Sequence, residues 1–380
     1  MPPQNIKYLA RGVGDRLEAT VSPKPTILEP TEVIIRLRAI AINPADCKMI
    51  DLGHRVTSWP LVPGLDGAGV IEDVGDKVKN FAVGDEVLAM FLPGDRNASF
   101  QSFAVVQETM LAKKPATWSF ENAATLGCDI LFSILLLIFP ISYLPGPSPF
   151  RICTRRIKSL ISVSRVCYLT GIIGLGIGLG MGLPFLKDGL ATSFKPSSVL
   201  VIGGSSALGA AVIQLLRLAV PHCIVLATSS PKHHGHLTTA LGANIAFDRN
   251  SSSLVTDVKS ASPGSRGVDA IVDAVGAGRT ERHIFETFDS NGPKKYAQVW
   301  TGDDEIEVPS GVVSVMFRGR DLPQLQGNQN VFLALQALLE EDEYKLPLPV
   351  HKVGDGFNML EKGLDLMRKG VSGEKLVISV

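Results

Sequence analysis

Two kinds of hydrophobic pattern divide the chain. Up to about residue 126 the apolar positions come in short β-branched runs broken by glycine and proline: EVIIRLRAIAIN (32–43), GAGVIEDVG (67–75) and GDEVLAMF (84–91). Runs of this kind between glycine turns predict strands, and several in succession predict a compact barrel-like domain. FENAATL (120–126) then opens a helix. From residue 195 the pattern changes. VLVI (199–202) is wholly apolar, a Gly/Ser turn follows, and a helix with apolar positions at helical spacing comes next. CIVLATSS (223–230), DAIVDAVG (269–276) and YAQVW (296–300) repeat the buried-strand type. Buried strands alternating with helices predict a parallel doubly wound sheet. From residue 311 the pattern is mixed again and ends on a strand-like KLVISV. A β-domain interrupted by a doubly wound α/β domain accounts for this order, and no internal repeat is present.

A third pattern fits neither domain. LFSILLLIFPISYLPGPSPF (131–150) is nearly uncharged, but Pro140 interrupts it and a Pro/Gly tail ends it, short of the roughly 20 residues a spanning helix needs. GIIGLGIGLGMGLPF (171–185) is apolar too, although its closely spaced glycines suit tight packing in a soluble helix. The first run lies within residues 129–166, which carry Arg151, Arg155, Arg156, Lys158 and Arg165 against the single acid Asp129 and are rich in Leu, Ile, Ser, Phe and Pro. The segment reads as an anomalous apolar and basic insertion with the composition of a translated intron. The expected segmentation is therefore 1–128 for the first part of the β-domain, 129–166 for the insertion, 167–310 for the doubly wound domain and 311–380 for the rest of the β-domain.

Composition narrows the class. A chain of 380 residues suits two domains, and 45% hydrophobic with 19% charged residues excludes wholesale disorder. Acidic and basic residues balance at 37 each, which gives no pull toward nucleic acid or anionic membrane. The five cysteines are scattered without a C-x-x-C pair, as in a reducing compartment, and the first twenty residues lack the apolar core of a signal peptide. A cytoplasmic location is expected.

The chemistry concentrates in VLVIGGSSALGAA (199–211). In G-x-G-x-x-G spacing, Gly204 takes the first position for the tight turn. Ser206 takes the second, where the backbone approaches a pyrophosphate, and Gly209 the third, for close helix packing. With a strand before it and a helix after it, the turn predicts a dinucleotide site that offers unpaired N–H groups to the phosphates. At the end of the next strand stand Thr228, Ser229, Ser230, Pro231, Lys232 and His233, with no carboxylate. Hydroxyls and a cation suit a ribose 2′-phosphate, so NADPH is expected rather than NADH.

The stretches INPADCKMIDLG (42–53), VPGLDGAGVIEDVGDKVKNFAVGDEVLAMF (62–91), the Gly/Ser turn and ALGANIAFD (240–248) resemble the medium-chain dehydrogenase/reductase superfamily. That resemblance implies a GroES-like β-barrel-type domain interrupted by a Rossmann domain. Where zinc alcohol dehydrogenases of the superfamily supply metal ligands, this chain has Pro44-Ala45-Asp46 and Gly64-Leu65-Asp66, with no histidine and no four-cysteine lobe. The zinc-independent reductases remain, and no metal is expected; His233, His234 and His236 read as loop histidines. Within that group, NPADCK, GGSSALG and the ending GLDLMRKGVSGEKLVISV resemble the fungal enoyl reductases that act in trans to polyketide synthases, over essentially the whole chain except about 129–166. Joining TLGC directly to YLTGIIG restores a continuous reductase-like sequence.

The resemblance implies cofactor contacts from Pro44, Ala45, Asp46 and Cys47, from Ser205, Ser206, Ala207 and Leu208, from Ser230, Pro231, Lys232 and His233, and from Val371 and Ser372. Where the family often has a tyrosine to stack on adenine, this chain has Arg249, whose guanidinium plane can substitute. It also implies Lys48 and Thr170 beside the substrate pocket as the candidate catalytic residues. The expected reaction delivers hydride from NADPH to the β-carbon of an enoyl thioester, with a polyketide synthase as partner. A quinone or alkenal reductase on the same fold, a non-catalytic NADPH-binding protein and a membrane-attached reductase are the alternatives.

Overall fold

The computed structural model describes residues 4–54, 56–128, 196–299, 305–317 and 331–380. Within them the chain packs into two units.

The first unit begins with a two-stranded antiparallel ribbon, β1 (Gln4–Leu9) and β2 (Glu18–Pro23). A larger sheet follows, built from β3 (Glu32–Ala41), β4 (Asp66–Val74), β5 (Glu86–Met90), β6 (Phe103–Gln107) and β7 (Leu111–Lys113). Strand β3 organises it, pairing with β4 along one edge and with β6 through Glu32–Arg36 on the other. Its sequence shows why: the aliphatic positions are buried, while Arg36 and Arg38 point outward, Arg36 meeting Glu72 on β4 at 2.7 Å. Helix α1 (Pro44–Leu52) leaves β3 directly, with proline in its first turn, where no N–H is needed, and it stops at Gly53 in the left-handed region. The helix that FENAATL opens is α2 (Phe120–Ala123), capped by the Ser119 hydroxyl, which accepts the Asn122 N–H at 3.1 Å.

The second unit is a six-stranded, all-parallel sheet: β8 (Ser198–Ile202), β9 (Ile224–Ser229), β10 (Ile245–Asp248), β11 (Ala270–Asp273), β12 (Lys295–Val299) and β13 (Val313–Phe317). Their spatial order is β10-β9-β8-β11-β12-β13, the doubly wound Rossmann order that reverses direction between β8 and β11. Helix α3 (Ala207–Ala219) follows β8, and α4 (Leu254–Ala261) follows β10. The core strands β8 and β11 are buried at every position, as a sheet covered on both faces requires.

The expected boundary at 310 falls too early. Val313–Phe317 pairs in parallel with Lys295–Val299, so this β-branched run is the sixth strand of the parallel sheet and not the start of the returning β-domain. The return begins at α5 (Val331–Glu340), followed by β14 (Val350–Asp355), α6 (Leu360–Lys369) and β15 (Lys375–Ser379). Strand β15 adds antiparallel to β3 at Ala39–Ala41 and carries β14 parallel beside it. Among the described residues the strand path runs open from β14 to β7. Its core includes Ile35, Leu37 and Ile40 of β3, Phe91, Phe100, Leu364 of α6 and Ile378 of β15. The insertion 129–166, both apolar runs and Thr170 lie outside the described residues. Among those described, no helix is long and apolar enough to cross a membrane.

Candidate active site

In the second unit, β8 runs into the glycine turn as expected, but the tight turn falls on a different glycine. Gly203 has φ 75°, and its N–H donates to the Thr228 hydroxyl at 3.2 Å. A Cβ there would lie 2.5 Å from Val275. Gly204 has another task. Its N–H donates to the Thr228 carbonyl at 2.8 Å, and a Cβ would press within 3.0 Å of Ala227 and 3.1 Å of Leu237. Gly203 thus supplies the conformation and Gly204 the close approach, one residue out of register with the expected assignment. Ser206 caps the helix: its hydroxyl accepts the Gly209 N–H at 3.0 Å and its carbonyl accepts the Ala210 N–H at 2.8 Å. Ser205, Ser206 and Ala207 are half-buried, whereas Leu208 and Gly209 are buried, so the first three face the opening of the turn.

At the ends of the neighbouring strands the side chains are cationic. Ser230 leads into a single 3-10 turn, Pro231–His233, with Lys232 exposed. Arg249, also exposed, directly follows β10 and donates its N–H to the Ser229 carbonyl at 3.1 Å. These groups share one neighbourhood. The His233 imidazole is held below its ordinary value by burial first, then by the positive fields of Lys232, His236, His234 and Arg249. A helix N-terminus behind a small-residue turn, flanked by this cluster and by no carboxylate from β9, fits a dinucleotide bearing an extra phosphate.

In the first unit the expected residues gather on one wall. A concavity of about 470 Å³ lies between α1 and α6 and is lined by Pro44, Cys47, Lys48, Arg368 and Val371 among others, positions more than 300 residues apart in sequence. Ala45 and Ser372 are exposed, and Lys48 is half-buried. Arg368 holds the two helices together, donating to both Asp51 carboxylate oxygens at 2.9 and 2.7 Å. Two of the residues expected at the cofactor have side chains bonded within this unit. The Cys47 thiol donates to the Leu364 carbonyl at 3.7 Å, and burial pushes its pKa up to about 12, so it stays protonated. Asp46 has no exposure at all. One of its carboxylate oxygens accepts the Asn43 N–H at 2.8 Å, so the side chain fastens the start of α1.

The two places that correspond to metal ligands in the zinc enzymes belong to one buried network. Asp66 accepts the Asn43 side-chain amide at 3.0 Å and the Cys128 N–H at 2.6 Å, and it pairs with Lys375 at 3.3 Å. Lys375 also donates to the Asn43 side-chain carbonyl at 2.7 Å. Asp46 sits near this network with its second oxygen lacking a partner, and burial raises its pKa to about 7, the Asp66 charge adding to the effect. An ammonium already pairs with the Asp66 carboxylate, and no nitrogen or sulfur ligand accompanies it, a donor set that does not fit zinc. Among the described residues no cluster of three or more His, Cys, Asp and Glu side chains could hold a metal ion.

Two buried polar residues escaped sequence reasoning, Lys375 of this network and Asp273 at the end of β11. Lys375 looks like an ordinary strand-edge lysine until β15 brings it to Asn43. Asp273 looks like the end of an apolar strand, although an aspartate followed by A-V-G-A-G is a signal for a side chain that collects backbone N–H groups.

The alcohol dehydrogenase GroES-like domain family matches residues 29–116, which span most of the antiparallel sheet. Over nearly the whole length, the chain is 29% identical to the trans-enoyl reductase pyiC of Pyricularia grisea, covering 93% of this chain and 88% of that protein. These similarities, like the motifs, lie with the medium-chain dehydrogenase/reductase superfamily. Several of the similar proteins are fungal trans-acting enoyl reductases. It is also 28% identical to the enoyl reductase component lovC of the lovastatin nonaketide synthase of Aspergillus terreus, covering 99% of this chain and 96% of that one. The CurK enoyl reductase structure shares the fold, with a TM-score of 0.71 at 19% identity and 99% of each chain covered. This reductase therefore pairs a GroES-like unit with a Rossmann sheet, as its motifs imply.

Proposed function

We propose that this reductase is an NADPH-dependent enoyl reductase that acts in the cytoplasm on α,β-unsaturated thioesters, in trans to a polyketide synthase of secondary metabolism. The observation that carries the cofactor choice is the end of β9, where Ser230, Lys232 and His233 stand beside Arg249 and β9 itself contributes no carboxylate to repel a 2′-phosphate. The thioester and the synthase partner rest on the similarity to pyiC and lovC.

NADPH, when bound, supplies the hydride that adds to the β-carbon of the conjugated thioester. The chain's own residues do the rest. The Gly203–Gly209 turn and the first N–H groups of α3 hold the pyrophosphate, and Lys232 and Arg249 hold the 2′-phosphate, with the Arg249 guanidinium also offering a plane to adenine. Lys48, half-buried on the concave wall of the first unit, offers an ammonium to the thioester oxygen, where negative charge develops. The proton that reaches the α-carbon comes from solvent or from a side chain, and Thr170, outside the described residues, is the second candidate there.

The deciding assay follows NADPH oxidation with a short enoyl thioester, in parallel with NADH and with a simple quinone. Faster turnover of the enoyl thioester with NADPH supports the proposal. Faster reduction of the quinone assigns a quinone reductase, and tight NADPH binding without turnover of any activated alkene assigns a binding protein.

A further inference from the structure

The loop that follows β11 is folded around a single buried carboxylate. Asp273, the last residue of that strand, has no solvent exposure. One of its oxygens accepts the N–H groups of Val275, Gly276 and Ala277 at 3.1, 2.8 and 3.0 Å. The other accepts the Gly278 N–H at 2.8 Å and the Tyr296 hydroxyl at 2.6 Å. Four consecutive N–H groups and one phenol thus converge on one charge, a far denser set than a strand end needs for its own satisfaction. Each neighbour is shaped to permit it. Gly276 has φ 75°, and a Cβ on Gly278 would collide with the Tyr296 hydroxyl. Phe285 packs edge-on against Tyr296 at 4.9 Å, sealing the carboxylate from water.

The loop's position gives this arrangement a functional meaning. It leaves the C-terminal end of β11, whose parallel neighbour is β8, and the strand order reverses between these two. In doubly wound sheets this crevice receives the dinucleotide. Val275 projects there, about half exposed, against the one face of Gly203 that a side chain would have occupied. An apolar residue left half exposed beside the phosphate turn is unexplained by sheet packing.

We propose that Asp273, locked by the Tyr296 hydroxyl, is a positioning residue for the dinucleotide: it fixes residues 274–278 so that Val275 forms one wall of the cofactor crevice beside Gly203. The inference rests on the dinucleotide reading of the proposed function. It assigns to Asp273 no contact with the reacting atoms. The carboxylate acts through the loop.

The test measures the NADPH dissociation constant of the full chain by the fluorescence of the bound nucleotide, with thermal melting and hydrogen exchange of residues 275–278 alongside. Tyr296→Phe removes one bond from Asp273 and leaves the four backbone bonds, so the variant keeps its fold. We expect it to raise the NADPH dissociation constant about tenfold, the effect of one hydrogen bond to a charge, and to raise KM for NADPH while leaving kcat at saturation nearly unchanged. Asp273→Asn should weaken binding further and speed exchange at 275–278, and Val275→Ala should weaken binding without lowering the melting temperature. Wild-type chain that binds no NADPH overturns the dinucleotide reading, and this inference with it. Wild-type binding together with unchanged affinity in Tyr296→Phe and Val275→Ala overturns this inference alone, whether or not Asp273→Asn folds.

Discussion

Replacing Lys375 with methionine should destabilise the first unit severely, and the size of the effect follows from the geometry. The ammonium lies 3.3 Å from Asp66, with side-chain exposures of only 6% and 0%. At that distance and an effective dielectric of about 20, the attraction is about 5 kcal/mol, which offsets the cost of keeping both charges out of water. Methionine fills the same space but leaves the Asp66 carboxylate uncompensated and the Asn43 side-chain carbonyl without its donor. Breaking one side of a buried pair costs about 3–5 kcal/mol. For a folding unit of this size, roughly 2–4 °C per kcal/mol turns that into a drop of about 6–20 °C in melting temperature. The double variant Lys375→Met/Asp66→Asn removes both charges and keeps an acceptor for the Cys128 N–H, so it should recover most of the loss. Thermal melting followed by far-UV circular dichroism on the three chains reads this directly. A single variant that melts within about 2 °C of wild type, or a double variant no better than the single, would refute the reasoning.

Four further outcomes are expected. Asp46 is held protonated in the folded chain up to about pH 7, against an ordinary value of 3.8, with burial as the main cause. Between about pH 4 and 7 the folded state therefore binds a proton that the unfolded state lacks, and stability from this group falls as pH rises, by up to about 1.4 kcal/mol per pH unit. Urea titrations at pH 5 and pH 8 should show Asp46→Asn gaining on wild type at the higher pH, and a constant difference would count against it. Lys232→Ala and Arg249→Ala should each raise KM for NADPH roughly tenfold and leave KM for NADH nearly unchanged, the gap narrowing with added salt. Gly203→Ala places a Cβ in the left-handed region against Val275, and it should weaken NADPH binding by more than about tenfold while the melting temperature drops by only a few degrees. Transcript sequencing should show a mature message lacking codons 129–166, and retention of those codons in most copies would refute the intron reading.

What could be read in advance divides along physical lines. The parallel strands VLVI and AIVD announce themselves because burial on both faces demands continuous apolar runs, and the glycine turn is local in sequence. The register of that turn was one residue off because two adjacent glycines fit the same spacing, and only the Thr228 hydroxyl, supplied by another strand, decides which one turns. The sixth strand, VSVMF, is not legible in the sequence, since nothing local distinguishes a parallel edge strand from the mixed segment that follows. The resemblance names Asp46 together with Pro44 and Ala45, which are exposed, whereas helical geometry turns the Asp46 side chain inward, a direction that no sequence similarity states. The Asn43, Asp66 and Lys375 cluster joins residues more than 300 positions apart, and no spacing rule reaches that far.

That long reach has a consequence for how the molecule is made. Strand β3 emerges early from the ribosome, but its edge at Ala39–Ala41 is completed only by Val377–Ser379. The parallel sheet, contained in the middle of the chain, has all its strands once residue 317 is out. The first unit therefore waits through the synthesis of the second with an open strand edge and with Asp66 still lacking the Lys375 ammonium. The part of the protein begun first is the part finished last, and the final strand delivers both the missing hydrogen bonds and the missing charge.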